Sequence, residues 1–557
     1  MYNQNFLSPV LVRIFKTCIF LSGLLCFISL SAYAQFGTKK NNGQIALQES
    51  VVPVRPGIPG KTPFWNANAH QFIYAPAFDF KAVQNAIKYR YEIKCEDKSV
   101  HNFDSNVPYS PLSKVWIAMP TGFFELKVIA LSTKSDSIGL AGSGKYYKAA
   151  YFNGPYHKPI MPYDKSATIA LDNLMHKDYV NYWLTKKVPD PDYPIYRYPA
   201  KIFSALIVGA VTHARLKPNT IDAKRSTEIA GIVADYLISI SFPKGSLWEY
   251  YPPTYYGYSS KIGRKPGGHV QLSTNFTIMG ADAGNAYLDL YDLTGNEKYL
   301  LAAKRIAQTY LKNQLKNGSW YLYVNHETGK PLAENIAIPT SFINYFDRLR
   351  KDYNVSGLEN ATRKAFNWIM ENPVKTFNWQ GQFEDVKALP PYKRQSREQA
   401  CDFAIYLLRN HKQTELAQEL IRFAEDQFVI WEKPLPITIH DNPDPEKSPG
   451  WNSKNWITPS VQEQYGFFMP VSRAAGVMME AYWHAYATTK KEIYLAKAQS
   501  IANALTLVQK EHHGDYPTMF TKYPMNFWLN SVVYPAKTMM RLQNNLEKLN
   551  KNLPIQP

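Results

Sequence analysis

The stretch AYLDLYDLTGNEKYLLAAKRIAQTYLKNQ, residues 286–314, decides the fold because it recurs 195 residues later as AYWHAYATTKKEIYLAKAQSIANALTLVQ, residues 481–509. Each copy has apolar residues at helical spacing on both sides of a short polar turn. Each copy therefore predicts two antiparallel helices. A repeated helix pair buries its apolar face by packing on further pairs, so the repeat predicts an array of helical hairpins.

The same periodicity runs through residues 157–557. It predicts twelve helices, near 165–186, 199–216, 224–241, 276–293, 297–315, 336–351, 357–371, 396–411, 413–428, 472–488, 492–510 and 526–548. Twelve helices in hairpins favour a mainly α chain that forms an (α/α)6 toroid, with inner and outer helices in alternation. The loops that follow the outer helices then gather at the rim where the inner helices begin.

Residues 35–156 have a β pattern instead. YRYEI at 89–93 alternates, and GFFELKVIAL at 122–131 places Phe124, Leu126, Val128 and Ala130 on one face. Trp116 lies just upstream, and KYYKAAYF at 145–152 predicts a further strand. We expect a small fibronectin-III-like antiparallel β-sandwich that precedes the toroid.

The first 34 residues have the pattern of a signal peptide. Arg13 and Lys16 precede an apolar run that ends in Ala32-Tyr33-Ala34, which predicts cleavage after Ala34. No later run is long and apolar enough to predict a membrane span. We therefore expect a periplasmic or secreted protein.

Cysteine content and charge restrict the function classes. After removal of the signal peptide only Cys95 and Cys401 remain, so neither a disulfide framework nor a Cys/His metal cluster is predicted, and no cofactor is expected. The formal charge is +18 and aromatic residues make up 14%. In an exported chain this favours acidic polysaccharide over nucleic acid as the partner, although many exported proteins are basic without a catalytic reason. The oligomeric state stays open.

A glycine and an aromatic residue follow several predicted outer helices. Glycine allows a sharp turn, and the aromatic ring then either packs or lines the mouth of the barrel. The pairs are Gly245 with Trp248, Gly318 with Trp320, Gly381 with Phe383, and Gly514 with Tyr516.

The rim loops 245–260, 318–331, 378–386, 431–456 and 458–468 combine Tyr and Trp with amides and carboxylates. Apolar faces of pyranose rings lie on aromatic rings while the hydroxyls need donors and acceptors, so these loops predict a sugar-binding surface. Alternatively, the aromatic residues pack on one another. The candidate substrate-binding residues in these loops are Tyr255, Tyr256, Trp379, Gln382 and Trp451.

The stretch NWQGQFEDV, residues 378–386, supplies the first candidates for acid and base catalysis. Two nearby carboxylates raise the pKa of one of them, which suits a general acid. Because adjacent side chains usually point apart, we expect Glu384 or Asp385 to pair with Glu463 from another loop. These carboxylates could equally cap helices or form ion pairs with arginines such as Arg397.

Arg397 is a candidate for substrate specificity, since a guanidinium binds a uronate carboxylate through two hydrogen bonds. An ion pair with Glu398 or Asp385 is the alternative. A competing chemistry, β-elimination or C5 epimerisation of uronic acids, needs a Tyr or His base to remove the C5 proton. Its candidates are His269, His326, Tyr465 and Tyr255, residue types that more often have structural roles.

Five segments resemble a family of exported two-domain proteins, the β-glucuronidases of glycoside hydrolase family 154. They are TPFWNANAHQFIYAPAFDF (62–80), YKAAYFNGPY (147–156), NPVKTFNWQGQFEDV (372–386), QACDFAIYLL (399–408) and AEDQFVIWE (424–432). The resemblance implies a sandwich followed by an (α/α)6 barrel, and removal of terminal glucuronic acid from glycans. It assigns no catalytic residue, so Glu384, Asp385 and Glu463 rest on the residues themselves. The architecture is also similar to that of heparinase-type lyases and unsaturated glucuronyl hydrolases, and fold alone does not decide the chemistry.

The sequence thus predicts a secreted glycoside hydrolase that removes β-glucuronic acid from an acidic polysaccharide or oligosaccharide. In this hypothesis Glu384 protonates the glycosidic oxygen and Glu463 activates water. A carboxyl separation of roughly 6.5–9.5 Å would indicate inversion and roughly 5–5.5 Å retention. The alternatives are a polysaccharide lyase or glucuronyl C5-epimerase with a Tyr or His base, and a non-catalytic glycan-binding protein.

Overall fold

The computed structural model describes residues 41–61, 69–255, 273–332, 335–384, 391–436, 452–523 and 528–555. The predicted signal peptide, residues 1–34, lies outside these ranges. Four predicted site residues also lie outside them: Tyr256, His269, Asp385 and Trp451. No helix in the described ranges combines the length and apolar character that a membrane crossing requires.

Six inner helices form a closed ring. They are α5 (Pro199–Leu216), α7 (Met279–Thr294), α9 (Thr340–Tyr353), α11 (Glu398–Arg409), α13 (Ser472–Thr489) and α15 (Leu529–Asn550). Each packs on the next, and α15 packs on both α13 and α5. The ring therefore closes on itself, and the predicted toroid is confirmed.

Six outer helices alternate with the inner ones along the chain. They are α3 (Tyr163–Met175), α6 (Ile221–Ser239), α8 (Glu297–Asn313), α10 (Glu359–Ile369), α12 (Thr414–Phe428) and α14 (Glu492–Glu511). The predicted helix at 165–186 is two helices, because the chain is extended at Lys177 before the short α4 (Asp178–Lys186). The repeat is reproduced to the residue: α7 and α8 meet between Thr294 and Glu297, and α13 and α14 meet between Thr489 and Glu492.

A four-stranded antiparallel sheet precedes the ring. Its strands are β1 (Lys88–Cys95), β2 (Val100–Ser105), β3 (Gly122–Leu131) and β4 (Ser137–Lys148), in the spatial order β2-β1-β3-β4. The predicted alternation in β3 is confirmed, since Phe124, Leu126, Val128 and Ala130 are all buried. Across this face lie an irregular segment around Phe72–Phe80 and the short α2 (Ser113–Trp116), so in the described residues the facing layer is not a second sheet.

The structure has a helix near the start of residues 35–156 that the sequence analysis did not predict, since it predicted only β structure there. Helix α1 (Asn42–Ser50) begins at a capping box in which the Asn41 side chain accepts from the Gln44 N–H and the Gln44 side chain accepts from the Asn41 N–H. The spacing Asn-x-x-Gln is the sequence signal for this start. The helix packs against α14.

A buried carboxylate joins the β-unit to the ring. Asp426, near the end of α12, accepts hydrogen bonds from the backbone N–H groups of Ile73 (2.7 Å) and Tyr74 (2.9 Å). The Gln71 amide donates to the Val429 carbonyl at 3.1 Å. These contacts fix the segment before β1 on the outer face of the toroid.

The glycine and aromatic pairs have two different structural roles. Gly245, Gly318 and Gly514 have φ between 88° and 99°, so glycine is favoured at each by the turn itself. Their aromatic partners Trp248, Trp320 and Tyr516 are buried and pack in the core. The fourth pair, Gly381 with Phe383, departs from this pattern, because Gly381 is not among the glycines with positive φ and Phe383 is only half-buried.

Close approach of two inner helices depends on Gly284 in α7. An added Cβ would lie 2.3 Å from the Tyr345 ring in α9. We expect Gly284→Ala to lower the free energy of unfolding by about 1–3 kcal/mol through overpacking. Chemical denaturation of the purified variant measures this change.

Gly231→Ala in α6 is the matched control, because the nearest atom to its added Cβ is the Tyr299 hydroxyl at 3.3 Å, the mobile end of a side chain. Alanine favours a helix over glycine by about 1 kcal/mol, so this variant should be neutral or more stable. Equal destabilisation of both variants would contradict the packing argument.

Candidate active site

A cavity lies where the six inner helices begin. All six contribute lining residues from the first two turns or from the residue just before the helix. The rim loops contribute Gln382, Phe383, Glu384 and Glu463. The helix residues that line it are Lys201, Ile278, Met279, Asp282, Thr340, Ser341, Glu398, Gln399, Asp402, Val471, Arg473, Trp528, Asn530 and Ser531.

Three backbone segments run side by side at the rim and bring its loops together. The Gly381 N–H donates to the Arg394 carbonyl at 2.7 Å, and the Ser396 N–H donates to the Trp379 carbonyl at 3.0 Å. On the other side the Tyr465 N–H donates to the Gln395 carbonyl at 2.9 Å. This ribbon fixes Glu384, the start of α11 and Glu463 at one edge of the cavity.

Glycine at position 381 is required by the ribbon rather than by a turn. A Cβ there would lie 2.6 Å from the Gln464 side-chain oxygen and 3.2 Å from the Ser396 Cβ. A side chain at position 381 would therefore displace the Gln464 side chain and crowd Ser396, so the packing of the ribbon favours glycine here. In this loop the aromatic partner, Phe383, is half-buried and lines the cavity.

Glu384 is held in one orientation from both ends. Its carboxylate forms a salt bridge of 2.5 Å with Lys201, in the first turn of α5, and only 3% of the side chain is exposed. Its backbone carbonyl accepts a hydrogen bond from the buried Tyr255 hydroxyl, and the preceding carbonyl, of Phe383, accepts from Tyr323 at 2.5 Å. The second carboxylate oxygen, Oε2, is buried without a hydrogen-bond partner in the described part of the chain.

The neighbouring Gln382 fixes the entry to α9. Its side-chain oxygen accepts from the Ile338 N–H at 2.8 Å, and its amide donates to the Ile336 carbonyl at 2.9 Å. The side chain is 6% exposed. Although Gln382 lines the cavity as predicted, both amide groups are engaged by backbone, so its role in this geometry is to hold the loop before α9.

A second group of charges lines the cavity, and two of its members, Asp282 and Arg473, were missed by the sequence analysis. Asp282 in α7, Asp402 in α11 and Arg473 in α13 line the cavity together with Glu398. Arg473 donates to Glu398 at 2.7 Å and its guanidinium lies 4.4 Å from the ring centre of Tyr534. Within the described ranges no set of His, Cys, Asp and Glu side chains is arranged to hold a metal ion.

These carboxyl groups have different proton affinities. Burial raises the pKa of Asp282 to about 6, with a further contribution from Glu398. Burial, together with Glu398, raises the pKa of Asp402 to about 8. Burial would also raise the pKa of Glu398, but the charges of Arg473 and Arg397 hold it below its ordinary value. One cavity thus contains an ionised carboxylate beside carboxyl groups that keep a proton to higher pH.

Glu463, the predicted partner of Glu384, lies on the strand Ser460–Gln464 and is half-buried in the cavity wall. Its backbone carbonyl accepts from the Arg397 guanidinium and, at 3.3 Å, from the Ser396 hydroxyl. In chain order Val429–Ile430 is β5, Ser460–Gln464 is β6 and Phe467–Pro470 is β7, and β6 pairs with both β5 and β7. Glu463 therefore belongs to a strand and not to a helix N-terminus, the alternative considered above.

Several predicted substrate-binding residues are placed elsewhere. Arg397 is 1% exposed and its guanidinium contacts Ser396 and the Glu463 carbonyl, so it positions Glu463 and does not face the cavity. Trp379 is fully buried against Phe377 and Phe403, with no exposed ring face for a sugar.

Three of the candidates for proton abstraction, Tyr255, Tyr465 and His326, are described, and they also lie outside the cavity wall. Tyr465 is 2% exposed and its hydroxyl donates to Gln427. Tyr255 positions the backbone of Glu384, as described above. His326 stacks on Phe242 with ring centres 4.3 Å apart, away from the lining residues. Among the described residues, the cavity is lined by neither Tyr nor His.

The cavity offers aromatic surface and unsatisfied polar atoms together. Phe383 and Trp528 are its two half-buried aromatic residues. The Ser341 hydroxyl, the Gln399 side-chain oxygen and the Asn530 side-chain oxygen are buried in it without partners among the described residues. Buried polar atoms are normally hydrogen-bonded, so these atoms are available to bind water or the hydroxyl groups of a ligand.

The dimensions restrict the ligand. The centres of water-sized molecules can occupy about 70 Å³ of the cavity. This volume holds about five waters, which is close to the space that one sugar ring fills. Below it, a second cavity of about 520 Å³ follows the ring axis and shares Asp282, Ser341, Glu398, Asp402 and Arg473 with the first. Its walls include Asp289, which is paired with Arg348 (2.8 Å) and Lys537 (2.5 Å).

Comparisons with known proteins give only distant likenesses. No protein-family model and no curated protein matches the sequence. A family 76 glycoside hydrolase from a bovine strain of Bacteroides thetaiotaomicron is 11% identical, with 86% of this chain and 98% of that chain covered and a TM-score of 0.44.

Two further structures are similar at the same level. For the cellobiose 2-epimerase of Spirochaeta thermophila the identity is 12%, the coverage 69% of this chain and 98% of that chain, and the TM-score 0.42. An unsaturated glucuronyl hydrolase specific for heparin is 11% identical, with 71% of this chain and 98% of that chain covered and a TM-score of 0.41. At TM-scores this low the likenesses carry no inference about activity.

The hydrogen bond from Tyr255 to the Glu384 carbonyl can be tested by Tyr255→Phe. We expect a loss of about 1 kcal/mol in the free energy of unfolding and a lower kcat, because the loop that orients Glu384 is released. Denaturation curves and steady-state kinetics measure the two effects.

Tyr345→Phe is the matched control, since it removes a buried hydroxyl that donates to the Ala303 carbonyl at 2.5 Å, away from the cavity. This variant should lose similar stability and keep its kcat. A Tyr255→Phe enzyme with unchanged kcat would show that this hydrogen bond does not orient Glu384.

Proposed function

We propose that this protein hydrolyses glycosidic bonds by carboxyl acid/base catalysis in the cavity at the start of the inner helices. The observation that carries the proposal is the presence, in one cavity, of carboxyl groups in opposite environments. The charges of Arg473 and Arg397 hold the pKa of Glu398 below its ordinary value, whereas burial raises the pKa of Asp282 to about 6. Pairs of carboxyl groups whose environments separate their pKa values are the basis of glycoside hydrolysis.

The geometry changes the role first assigned to Glu384. The salt bridge to Lys201 fixes the Glu384 carboxylate at the edge of the cavity, where it can accept a proton from water. Asp282 is better placed as the general acid: its proton passes to the glycosidic oxygen as the bond from that oxygen to the anomeric carbon breaks. In direct displacement, the oxygen of a water molecule then bonds to the anomeric carbon, and a proton of that water passes to Glu384. Glu463 is the alternative base.

The proposed substrate is a saccharide with a terminal β-glucuronic acid, the specificity that the family resemblance implies. Two cations, Lys201 and Arg473, line the cavity, and the inner helices direct the positive ends of their dipoles towards it. These features support binding of a carboxylate-bearing sugar ring. In this proposal Arg473 replaces Arg397 as the arginine that recognises the uronate, and the predicted export brings the enzyme to polysaccharide outside the cytoplasm.

The absence of Tyr and His from the described cavity wall disfavours the lyase and epimerase alternatives, which need such a base. A non-catalytic binding protein would not need carboxyl groups with separated proton affinities. Hydrolysis is therefore the function that the arrangement supports best.

The proposal is tested by incubating the purified protein with aryl β-glucuronide and with a panel of uronic-acid oligosaccharides. We expect free uronic acid without formation of an unsaturated product, and a loss of kcat of at least about a hundredfold in Glu384→Gln. Glu371→Gln is the control, because Glu371 is a surface residue with 72% of its side chain exposed. An unsaturated product, or a Glu384→Gln enzyme as active as the parent, would contradict the proposal.

The pH dependence tests the assignment of Asp282. A general acid works only while it is protonated, so activity should be retained below the pKa of about 6 and decline as the pH rises through it. We expect kcat/KM to show this alkaline decline, and Asp282→Asn to reduce kcat/KM strongly across the whole range. A decline centred near pH 8 that is absent in Asp402→Asn would assign the acid role to Asp402 instead.

A further inference from the structure

A further pocket lies at the end of the ring opposite the cavity at the helix starts. It shares Arg409, Glu480, Thr538 and Arg541 with the axial cavity between them. Helix α11 ends at Arg409, whereas α13 and α15 continue to Thr489 and Asn550, so their inner faces remain open beyond it. From Leu529, beside the catalytic cavity, to Arg541 in this pocket the helix rises about 18 Å. About 270 Å³ is open to the centres of water-sized molecules there.

The pocket is rich in positive charge. Arg409, Arg541 and Lys548 line it, and Glu480 is its one acidic lining residue among those described. Glu480 is already paired with Arg541 at 2.6 Å. Arg409 and Lys548 have no acidic partner in the described part of the chain, so the pocket has an excess of positive charge.

Two buried nitrogen atoms of the lining residues have no hydrogen-bond partner. Trp483 is 5% exposed and His484 is 7% exposed, and both line the pocket. The Trp483 Nε1 and the His484 Nδ1 are unsatisfied among the described residues. An indole N–H can only donate, so it requires an acceptor. The His484 Nε2 lies 3.7 Å from the Glu480 carboxylate, so its proton faces Glu480 and the Nδ1 can only accept. The Trp483 N–H is therefore the unpartnered buried donor, and beside the unpaired cations Arg409 and Lys548 it indicates an anionic ligand.

We infer that this pocket binds the carboxylate or sulfate group of an acidic saccharide at a site separate from the catalytic cavity. Arg409 offers a planar set of donors that matches an oxyanion, and Lys548 adds a second charge. Thr538 and Asn545 line the same pocket and provide partners for hydroxyl groups, while the Trp483 side chain provides apolar surface. The inference does not depend on the proposed hydrolytic activity.

Isothermal titration of the full-length mature protein tests the inference, since it requires no turnover. The Glu384→Gln protein is titrated with four probes: a galacturonate oligosaccharide, a sulfated oligosaccharide, a neutral oligosaccharide of equal length, and inorganic sulfate. We expect an acidic oligosaccharide to bind, and the double variant Arg409→Gln/Lys548→Gln to weaken that binding about tenfold or more. Which of the two acidic oligosaccharides binds distinguishes a carboxylate from a sulfate ligand.

Lys375→Gln is the matched control, because Lys375 is another exposed cation, with 72% of its side chain exposed, and lies outside the pocket. It should leave the affinity unchanged. Trp483→Phe, which keeps an aromatic ring and removes the N–H, should also weaken binding.

Two outcomes would overturn the inference: equal binding of neutral and acidic oligosaccharides, or unchanged affinity in the double variant. Inorganic sulfate that binds as tightly as the oligosaccharides would show a site for a free ion and overturn the saccharide assignment. Loss of turnover on aryl β-glucuronide with retained acidic-saccharide binding would separate failure of the proposed activity from failure of this site.

Discussion

Packing of the last inner helix, α15, against both α13 and α5 closes the ring, and the candidate active-site cavity depends on this closure. Because every outer helix returns the chain to the same rim, all six inner helices begin at one end. Their first turns carry the positive ends of the helix dipoles. Closure of the ring therefore places the starts of six helices around one cavity. Charged side chains from different helices meet in that cavity.

Within that space, burial and charge divide the carboxyl groups into two kinds. Lys201 and Arg473 each pair with one carboxylate, Glu384 and Glu398. Asp282 has no such direct ion pair in the described residues, so desolvation raises its pKa. An enzyme that needs both a proton donor and an ionised carboxylate obtains them from this difference in environment. The loop ribbon then keeps Glu384 and Glu463 at fixed positions relative to the helix starts.

Local periodicity was sufficient to predict the toroid and most helix positions, because each helix has an apolar face that packs on its neighbours. The rim loops could also be located, and three of their residues, Gln382, Glu384 and Glu463, do line the cavity. The roles of buried residues such as Arg397 and Tyr465 could not be predicted, because they depend on contacts between loops that are far apart in sequence.

Asp282 and Arg473 were missed for a related reason. Each is a single charge among small residues at the start of an inner helix, in MGADAG at 279–284 and SRAAG at 472–476. Such an isolated charge, on a helix that is otherwise buried, is the signal that could have indicated them. Its significance emerges only when the six helix starts are brought together by the ring.

The most direct test of the account is a crystal structure of the Glu384→Gln protein with a bound glucuronic-acid-terminated oligosaccharide. The account predicts the terminal sugar ring in the cavity between Trp528 and Phe383. Its glycosidic oxygen should lie within hydrogen-bond distance of Asp282, and its carboxylate should contact Arg473 or Lys201. A terminal ring bound elsewhere on the toroid, with this cavity empty, would contradict the assignment of the catalytic site.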